Sequence, residues 1–236
     1  MSTKAIIRGP TLALQARGPL ACFTRPECKA ERLSYEVMTP SAARGLIEAV
    51  LWKPAIRWRI ERIHVLKPIR FMSFRRNEVG SKVAVGSIGN DYFADDDRQQ
   101  RHTIALRDVD YLVEAHFELT AKAGTDDSIP KFAEMFKRRV ESGQCFHTPY
   151  FGCREFTAEI LAVKSKGDAY FALSTGERIV PDSELAAEDR KGLGLMLLDL
   201  EYSAPGVGKP HFFEAELAGG VLVEAGQKAL PVGGAP

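Results

Sequence analysis

The chain has 236 residues, with 32 Lys and Arg against 31 Asp and Glu and a net charge of +1. This length can bury a substantial core as one large domain or two modest ones, and no apolar run is long enough to span a membrane. Four cysteines are too few for a disulfide framework and no secretory core is visible, so we expect a cytoplasmic protein without a membrane partner.

The charge is divided unevenly along the chain. Residues 1–90 hold 16 Lys and Arg against 6 Asp and Glu, whereas the remaining residues hold 16 against 25. A basic half implies phosphate contacts whose affinity falls with salt. The acidic half needs no partner, because negative charge also keeps a protein soluble.

The segment 22–35 alternates cations with rings. Such interleaving suits single-stranded nucleic acid, although a solvated basic loop with two core aromatics has the same composition. The candidate contacts are Phe23, Arg25, Lys29, Arg32 and Tyr35.

A helix is predicted over residues 40–51. The Thr39 hydroxyl can cap its first turn, and Pro40 fits the first helical position, where no donor is needed. Trp52-Lys53-Pro54 ends it, because a residue before proline is pushed out of the α region. Its apolar stripe is Ala43, Leu46, Ile47 and Val50, with Arg44 and Glu48 facing out.

A bulged strand is predicted from Ile56. Apolar residues alternate with arginines on a wet face, and the phase shifts at Arg62. With a short strand before the helix, this unit is the opening half of a ferredoxin-like fold.

Residues Lys67 to Leu106 are rich in Gly, Ser, Asp and Arg, which predicts a long β-hairpin insertion. Its tip is acidic at Asp95 to Asp97. Its basic entry consists of Arg70, Arg75, Arg76 and Lys82.

Strict alternation predicts a strand at Asp108–Thr120, with His116 on its outward side. A solvated histidine is favoured there over a catalytic one. A second helix is predicted over Pro130–Glu141 and ends at Gly143, and a further strand over Arg154–Val163.

This order predicts an α+β chain with a ferredoxin-like (RRM-like) βαββαβ domain over residues 1–163, interrupted by the hairpin. Residues 164–236, with the apolar run Leu193–Leu200 and a turn at Gly219-Gly220, are predicted to form a small β-rich domain. Cys145, His147 and Cys153 lack a fourth ligand at a matching spacing, so we predict no metal and no cofactor.

Five segments resemble, in order, the type I-C branch of the CRISPR-associated Cas5 family: CFTRPECKAERLSY, TPSAARGLIEAVLWKPAIRW, RRNEVGSK, LRDVDYLVEAHFELT and GQCFHTPYFGCREF. The resemblance implies a subunit that grips the 5′ handle of a CRISPR RNA inside a Cascade surveillance complex, beside a large subunit and backbone subunits. Phe23 and Tyr35 would then stack on bases or partner subunits. The cations expected on phosphates are Arg25, Lys29, Arg32, Lys53, Arg75, Arg76 and Arg154.

The resemblance also implies metal-free cleavage of precursor CRISPR RNA by a tyrosine or histidine with a Lys-His pair. At those positions the chain has Leu51 and Lys131-Phe132, so only Lys131 remains as a catalytic candidate. Leucine and phenylalanine cannot transfer a proton. The cleavage mechanism that the resemblance implies is therefore crippled unless His116, His147 or Tyr35 substitutes for them.

We therefore expect a handle-binding subunit with cleavage left open. The alternatives are an active metal-independent endoribonuclease that uses Lys131 and a displaced base, and a general RNA-binding module.

Overall fold

A computed structural model describes residues 7–28, 30–81, 93–204 and 207–223, which form a mixed α/β structure dominated by strands. Lys29, predicted to contact RNA, and Lys82, predicted at the basic entry of the hairpin, lie outside these ranges. In chain order the elements are β1 (Leu12–Ala21), β2 (Arg32–Leu33), α1 (Pro40–Val50), β3 (Ile56–Val65), β4 (Phe71–Val79), β5 (Arg98–Leu119), α2 (Ile129–Ser142), β6 (Glu159–Lys166), β7 (Ala169–Ala172), β8 (Arg178–Ile179), α3 (Ser183–Ala187), β9 (Arg190–Ala204), β10 (Val207–Ala218) and β11 (Val221–Val223).

The described strands join one sheet in the order β8-β7-β6-β1-β5-β3-β11-β10-β9, with β2 and β4 also paired to β5. The inner strands β6, β1, β5 and β3 are antiparallel to their neighbours. The Trp58 indole of β3 donates a hydrogen bond to the carbonyl of Leu51, which follows α1. The centre of its ring lies 4.9 Å from that of Phe136 in α2. The two helices therefore cover the same face of the sheet. None of the described helices is long and apolar enough to cross a membrane.

Helix α1 confirms the helix that was predicted from the Thr39 cap and the spacing of the apolar residues. The Thr39 hydroxyl accepts from the Ala42 amide at 3.1 Å, and the predicted stripe is buried. The outward face is different from the expectation, because β9 covers it. Arg44 is half-buried and binds both Glu48 and Asp199, at 3.0 and 2.7 Å.

Strand β5 is longer than predicted. The hairpin return and the strand at 108–120 form one element of 22 residues, of which Arg98–Leu106 pairs with β4 and the rest with β1 and β3. Asp108, at the change of partner, has φ of 53°. Aspartate tolerates this left-handed conformation better than most residues, so the strand bends there without ending. Below, "the arm" means β4 with Arg98–Leu106.

The C-terminal strands extend the same sheet at both edges. The hairpin of β9 and β10 reaches β3 through β11, while β7 and β8 follow β6. The predicted turn at Gly219 and Gly220 is confirmed, since both have positive φ between β10 and β11. Strand β6 starts at Glu159, later than predicted, because a loop occupies 154–158. A domain division at residue 163 stays a prediction.

Candidate nucleic-acid interface

The basic loop, residues 22–35, is closed by backbone hydrogen bonds from Arg25 to Leu33 and from Tyr35 to Phe23, both of 2.9 Å. Its two rings point inward. Phe23 is 3% and Tyr35 is 2% exposed, and Phe23 packs edge-on against Tyr111 and Phe151. Neither ring offers an open face on which a base could stack at the surface in this conformation.

Arg25 lies beside the loop's buried rings. Its guanidinium carbon is 4.7 Å from the centre of the Tyr35 ring, in the range of a cation–π contact. Its closest carboxylate, that of Glu27, is 3.9 Å away, and its Nε has no hydrogen-bond partner among the described residues. The cation is therefore positioned by packing and only weakly neutralised.

Arg32 and Arg76, in contrast, are held in an ion-pair network that ties the basic loop to the arm. Both contact Glu155, at 2.9 and 3.4 Å, and both contact Glu78, at 3.7 and 2.8 Å. Arg76 also donates to the Thr103 hydroxyl. These two arginines must exchange existing partners before they can bind a phosphate.

Three of the predicted cations remain unpaired within the described ranges. Arg75 on the arm and Arg154 after the 143–150 loop are exposed, and Lys53 is partly exposed, with no salt bridge to a described residue, although its charge helps to lower the pKa of Asp127. Such cations can bind phosphates without giving up a carboxylate partner.

The end of α1 is fixed by donors from three directions. The carbonyls of Ala49, Val50 and Leu51 accept from the Phe146 amide, the Arg139 side chain and the Trp58 indole, at 2.7, 2.8 and 2.8 Å. These bonds satisfy carbonyls that a helix end leaves without partners.

Two large aromatic side chains stay in solvent next to this helix end. Trp52 is 53% and Phe146 is 73% exposed. The sequence pattern at Trp52 predicted only a helix terminus, and neither aromatic residue was predicted as an RNA contact. Their signal was weak: each is an aromatic residue in a segment with few or no acidic residues, 49–60 and 142–154.

The two non-ionisable residues at the positions that the resemblance predicted for proton transfer belong to the core. Leu51 is 0% and Phe132 is 2% exposed, and the Phe132 ring packs edge-on against Phe117. Lys131 is exposed and pairs with Asp127 at 3.0 Å. A hydrogen bond from Gly124 and the Lys131 ammonium hold the pKa of the Asp127 carboxyl below its usual range. The lysine is thus a charged, accessible cation.

The three proposed substitutes for the missing proton carriers lie in different environments. His116 points to the sheet face opposite the helices and contacts Glu61 at 2.6 Å with 14% of its side chain exposed, so the prediction of a solvated histidine is wrong. Tyr35 is enclosed, and burial raises the pKa of its hydroxyl. His147 alone is exposed and follows Phe146 at the end of α1.

A thiol pair was also missed. Cys153 accepts from Arg32 at 3.3 Å, and a hydrogen bond from the buried Cys22 thiol together with the Arg32 charge lowers the pKa of Cys153 to about 6. The same contact and burial raise the pKa of Cys22. Within the described ranges, no cluster of three or more His, Cys, Asp or Glu side chains is arranged to hold a metal ion.

The sheet face opposite the helices carries a buried carboxylate. Glu114 is 3% exposed and lies 2.6 Å from His64. Burial opposes its ionisation, but hydrogen bonds from His64 and Tyr170 hold the pKa of Glu114 below its usual value. Alternation predicted only the other face of β5 to be buried.

Comparison with known proteins assigns a family. The model of the family described as CRISPR-associated protein (Cas_Cas5), in its Cas5d form, matches residues 11–217. Two relatives are named CRISPR pre-crRNA endoribonuclease Cas5d: that of Mannheimia succiniciproducens is 46% identical over 222 residues, covering 89% of this chain and 93% of the relative. That of Thermus thermophilus is 41% identical over 234 residues, covering 92% of each.

Solved structures share the fold at low identity. A structure titled as a CRISPR-associated protein has a TM-score of 0.65 at 20% identity and covers 93% of this chain and 94% of its own. A chain of a CRISPR RNA-guided surveillance complex has a TM-score of 0.51 at 11% identity, covering 94% and 92%. These likenesses concern the fold alone.

Proposed function

We propose that this chain, which belongs to the type I-C branch of the CRISPR-associated Cas5 family, binds the 5′ handle of CRISPR RNA and takes part in its processing as a subunit of a Cascade surveillance complex. The family match over residues 11–217, with relatives named for precursor CRISPR RNA cleavage, carries this conclusion. Arg25, Arg75, Arg154 and Lys53 supply cations for the phosphates.

A ferredoxin-like domain is the finer description that we propose for the RNA-binding part. The order β1, α1, β3, β5, α2, β6, with the sheet order β6-β1-β5-β3 and antiparallel neighbours, supports it. The arm is then an insertion between its second and third strands. The edge strands outside β6 and β3 form the proposed β-rich addition.

The proposed partners are CRISPR RNA and the backbone and large subunits of Cascade. Four free cysteines fit a reducing cytoplasm as the place of action.

Cleavage by this chain is the second candidate function, favoured by the names of both relatives. Its chemistry needs a group that takes the 2′-hydroxyl proton and a cation beside the phosphate. Leu51 and Phe132 cannot serve, whereas Lys131 is an exposed cation paired with Asp127, and His147 is an exposed imidazole. In this proposal Lys131 stabilises the phosphate charge and His147 replaces the missing base.

Incubation of the purified chain with labelled repeat RNA in EDTA tests both functions. Cleavage at one site that is abolished in both Lys131→Ala and His147→Ala supports the enzyme. Binding without cleavage supports a handle-binding subunit whose RNA is cut elsewhere. Equal affinity for an unrelated hairpin RNA would contradict specific handle recognition.

A further inference from the structure

A cavity of about 350 Å³ lies between the first half of α1, the 147–152 segment and β9. We refer to it as the α1 cleft. It is lined by Phe23, Thr24, Tyr35, Thr39, Ser41, Ala42, Gly45, Leu46, His147, Tyr150, Gly152, Leu197 and Leu200. Its size lies within the range of small-ligand sites, which begins at about 300 Å³.

The walls of the α1 cleft are held in place by backbone and side-chain contacts. Gly152 has φ of 78°, and a Cβ at this position would come 2.1 Å from the Cys22 carbonyl oxygen, so only glycine brings the segment so close to the end of β1. On the other side, Tyr35 and Leu197 of β9 line the cleft together, and Tyr35 is only 2% exposed. The cleft is therefore formed before any ligand arrives.

The lining combines rings with hydroxyl groups, as a site for a planar polar ligand requires. The exposed His147 and the partly exposed Tyr150 supply accessible rings, which lie 6.1 Å apart with an angle of 31° between their planes. Phe23 and Tyr35, only 3% and 2% exposed, form the enclosed inner wall. Thr24 and Ser41, which carry hydroxyl groups, belong to the same lining. Rings of this kind bind bases of single-stranded nucleic acid without regard to sequence, and hydroxyls can read base edges.

The charge next to the cleft favours RNA over a protein side chain as its occupant. Arg25 lies over the ring of Tyr35, a wall of the cleft; its side chain is 26% exposed, and its nearest carboxylate, that of Glu27, is 3.9 Å away. The segment 142–154, which forms another wall, contains no acidic residue. A nucleotide presents both a planar base and a phosphate, and this arrangement complements both.

We propose that the α1 cleft holds one base of the bound single-stranded RNA, with Arg25 on the adjacent phosphate. This inference rests on the proposed RNA-binding function and names the residues that take a single nucleotide. It also gives Phe23 and Tyr35 a different role from the surface stacking predicted from sequence: they form the inner walls of the site.

Gly45 allows the cleft to be filled without disturbing the fold. It lies on the exposed side of α1, and a Cβ built on it meets nothing within 4 Å. Leucine and alanine both favour helices over glycine. Gly45→Leu therefore projects an isobutyl group toward the cleft, and Gly45→Ala is the matched control that adds only a methyl group.

The test uses fluorescence anisotropy with repeat RNA in which each nucleotide in turn is abasic. One abasic position should lower wild-type affinity about tenfold, the scale of one base stacked on aromatic residues. Gly45→Leu should bind intact RNA about tenfold more weakly and should bind that abasic RNA as wild type does. Gly45→Ala should stay within about twofold of wild type.

Either of two results would overturn the proposal. The first is that no abasic position lowers the affinity of the wild type for the RNA. The second is that the sensitive abasic position lowers the affinity of Gly45→Leu as much as that of wild type. The first result does not depend on the variant's stability, since the abasic series is read in the wild-type chain, and the second is read only after thermal unfolding shows that Gly45→Leu is folded. Salt-dependent binding of intact repeat RNA would persist in either case and leave the proposed function standing. Absence of any binding to intact RNA would remove both.

Discussion

The basic loop and the junction of α1 with α2 differ in which chemical groups they retain. In the loop, on the arm and at the 154–158 loop, Arg25, Arg75 and Arg154 remain charged and accessible. At the junction, Leu51 and Phe132 occupy the core at the positions where the sequence resemblance predicted proton carriers. Phosphate binding sums over many cations in approximate positions, whereas proton transfer needs one group at one atom. We therefore expect RNA binding to tolerate sequence change better than cleavage does.

The largest expected effect is on binding. Reversing the charge of Arg25, Arg75 and Arg154 together should weaken repeat RNA binding about a hundredfold or more. The slope of log affinity against log salt concentration should fall by about one for each phosphate that no longer has a cation beside it. A filter-binding titration at several salt concentrations measures both quantities.

The matched control reverses Lys164, Lys166 and Arg178, which are exposed on β6–β8 and change the net charge equally. Equally weakened binding in the two triple variants would mean that net charge alone governs affinity. Reversal of Lys29 and Arg32 with Arg25 extends the test, but the ion pairs of Arg32 require a thermal unfolding control.

The second prediction restores the missing groups at the junction. Leu51→Tyr with Phe132→His should raise precursor cleavage about a hundredfold, because general acid–base catalysis contributes about that much and Lys131 already supplies the cation. A single-turnover assay in EDTA measures the rate. Both positions are buried, so thermal unfolding must show that the variant folds.

Lys131→Ala in the restored background should remove the added activity. A wild-type chain that cuts rapidly, and whose rate Lys131→Ala leaves unchanged, would contradict the assignment of these positions.

The third prediction concerns the aromatic surface at the end of α1. Trp52 and Trp58 are the two tryptophans of the chain, and Trp58 is 1% exposed and hydrogen-bonded. Quenching of intrinsic fluorescence by added repeat RNA therefore reports on Trp52. If a base stacks there, Trp52→Ala should weaken binding about tenfold and Trp52→Phe much less. RNA binding with unchanged fluorescence would assign Trp52 to a protein partner instead.

The smallest expected effect is chemical and depends on pH. Because the pKa of Cys153 is lowered to about 6, its thiolate should predominate above that pH and its alkylation rate should rise through that value. Brief iodoacetamide pulses from pH 5 to 9, followed by peptide mass mapping, measure this midpoint. Arg32→Gln should move the midpoint upward, since the thiolate no longer has its cation. An unmoved midpoint would mean that Arg32 does not stabilise the thiolate.

Local signals in the sequence predicted the helices and strands. They did not predict which side chains become buried, because that depends on contacts with residues far along the chain. Helix α1 followed from Thr39, Pro40 and an apolar period, all within the helix or next to it. The half-buried Arg44 is paired with Asp199, and a hydrogen bond from Tyr170 helps to keep the pKa of the buried Glu114 below its usual value. These partners lie far along the chain, in strands whose placement no local period reveals.

The candidate site shows the same limit. Cation spacing indicated the basic loop, but the inward direction of Phe23 and Tyr35 depends on packing against Tyr111, Phe151 and β9. Likewise, the α1 cleft needs a glycine at position 152 because the Cys22 backbone lies against it, and the sequence does not reveal that contact.

The bend at Asp108 has a mechanical consequence. The same covalent strand forms the centre of the sheet and one side of the arm, and it changes direction at a single residue with φ of 53°. The orientation of the arm's cations relative to the basic loop thus depends on one backbone torsion angle. The ion pairs of Arg32 and Arg76 with Glu78 stabilise that orientation. The relative placement of the two basic surfaces is in this way built into main-chain geometry.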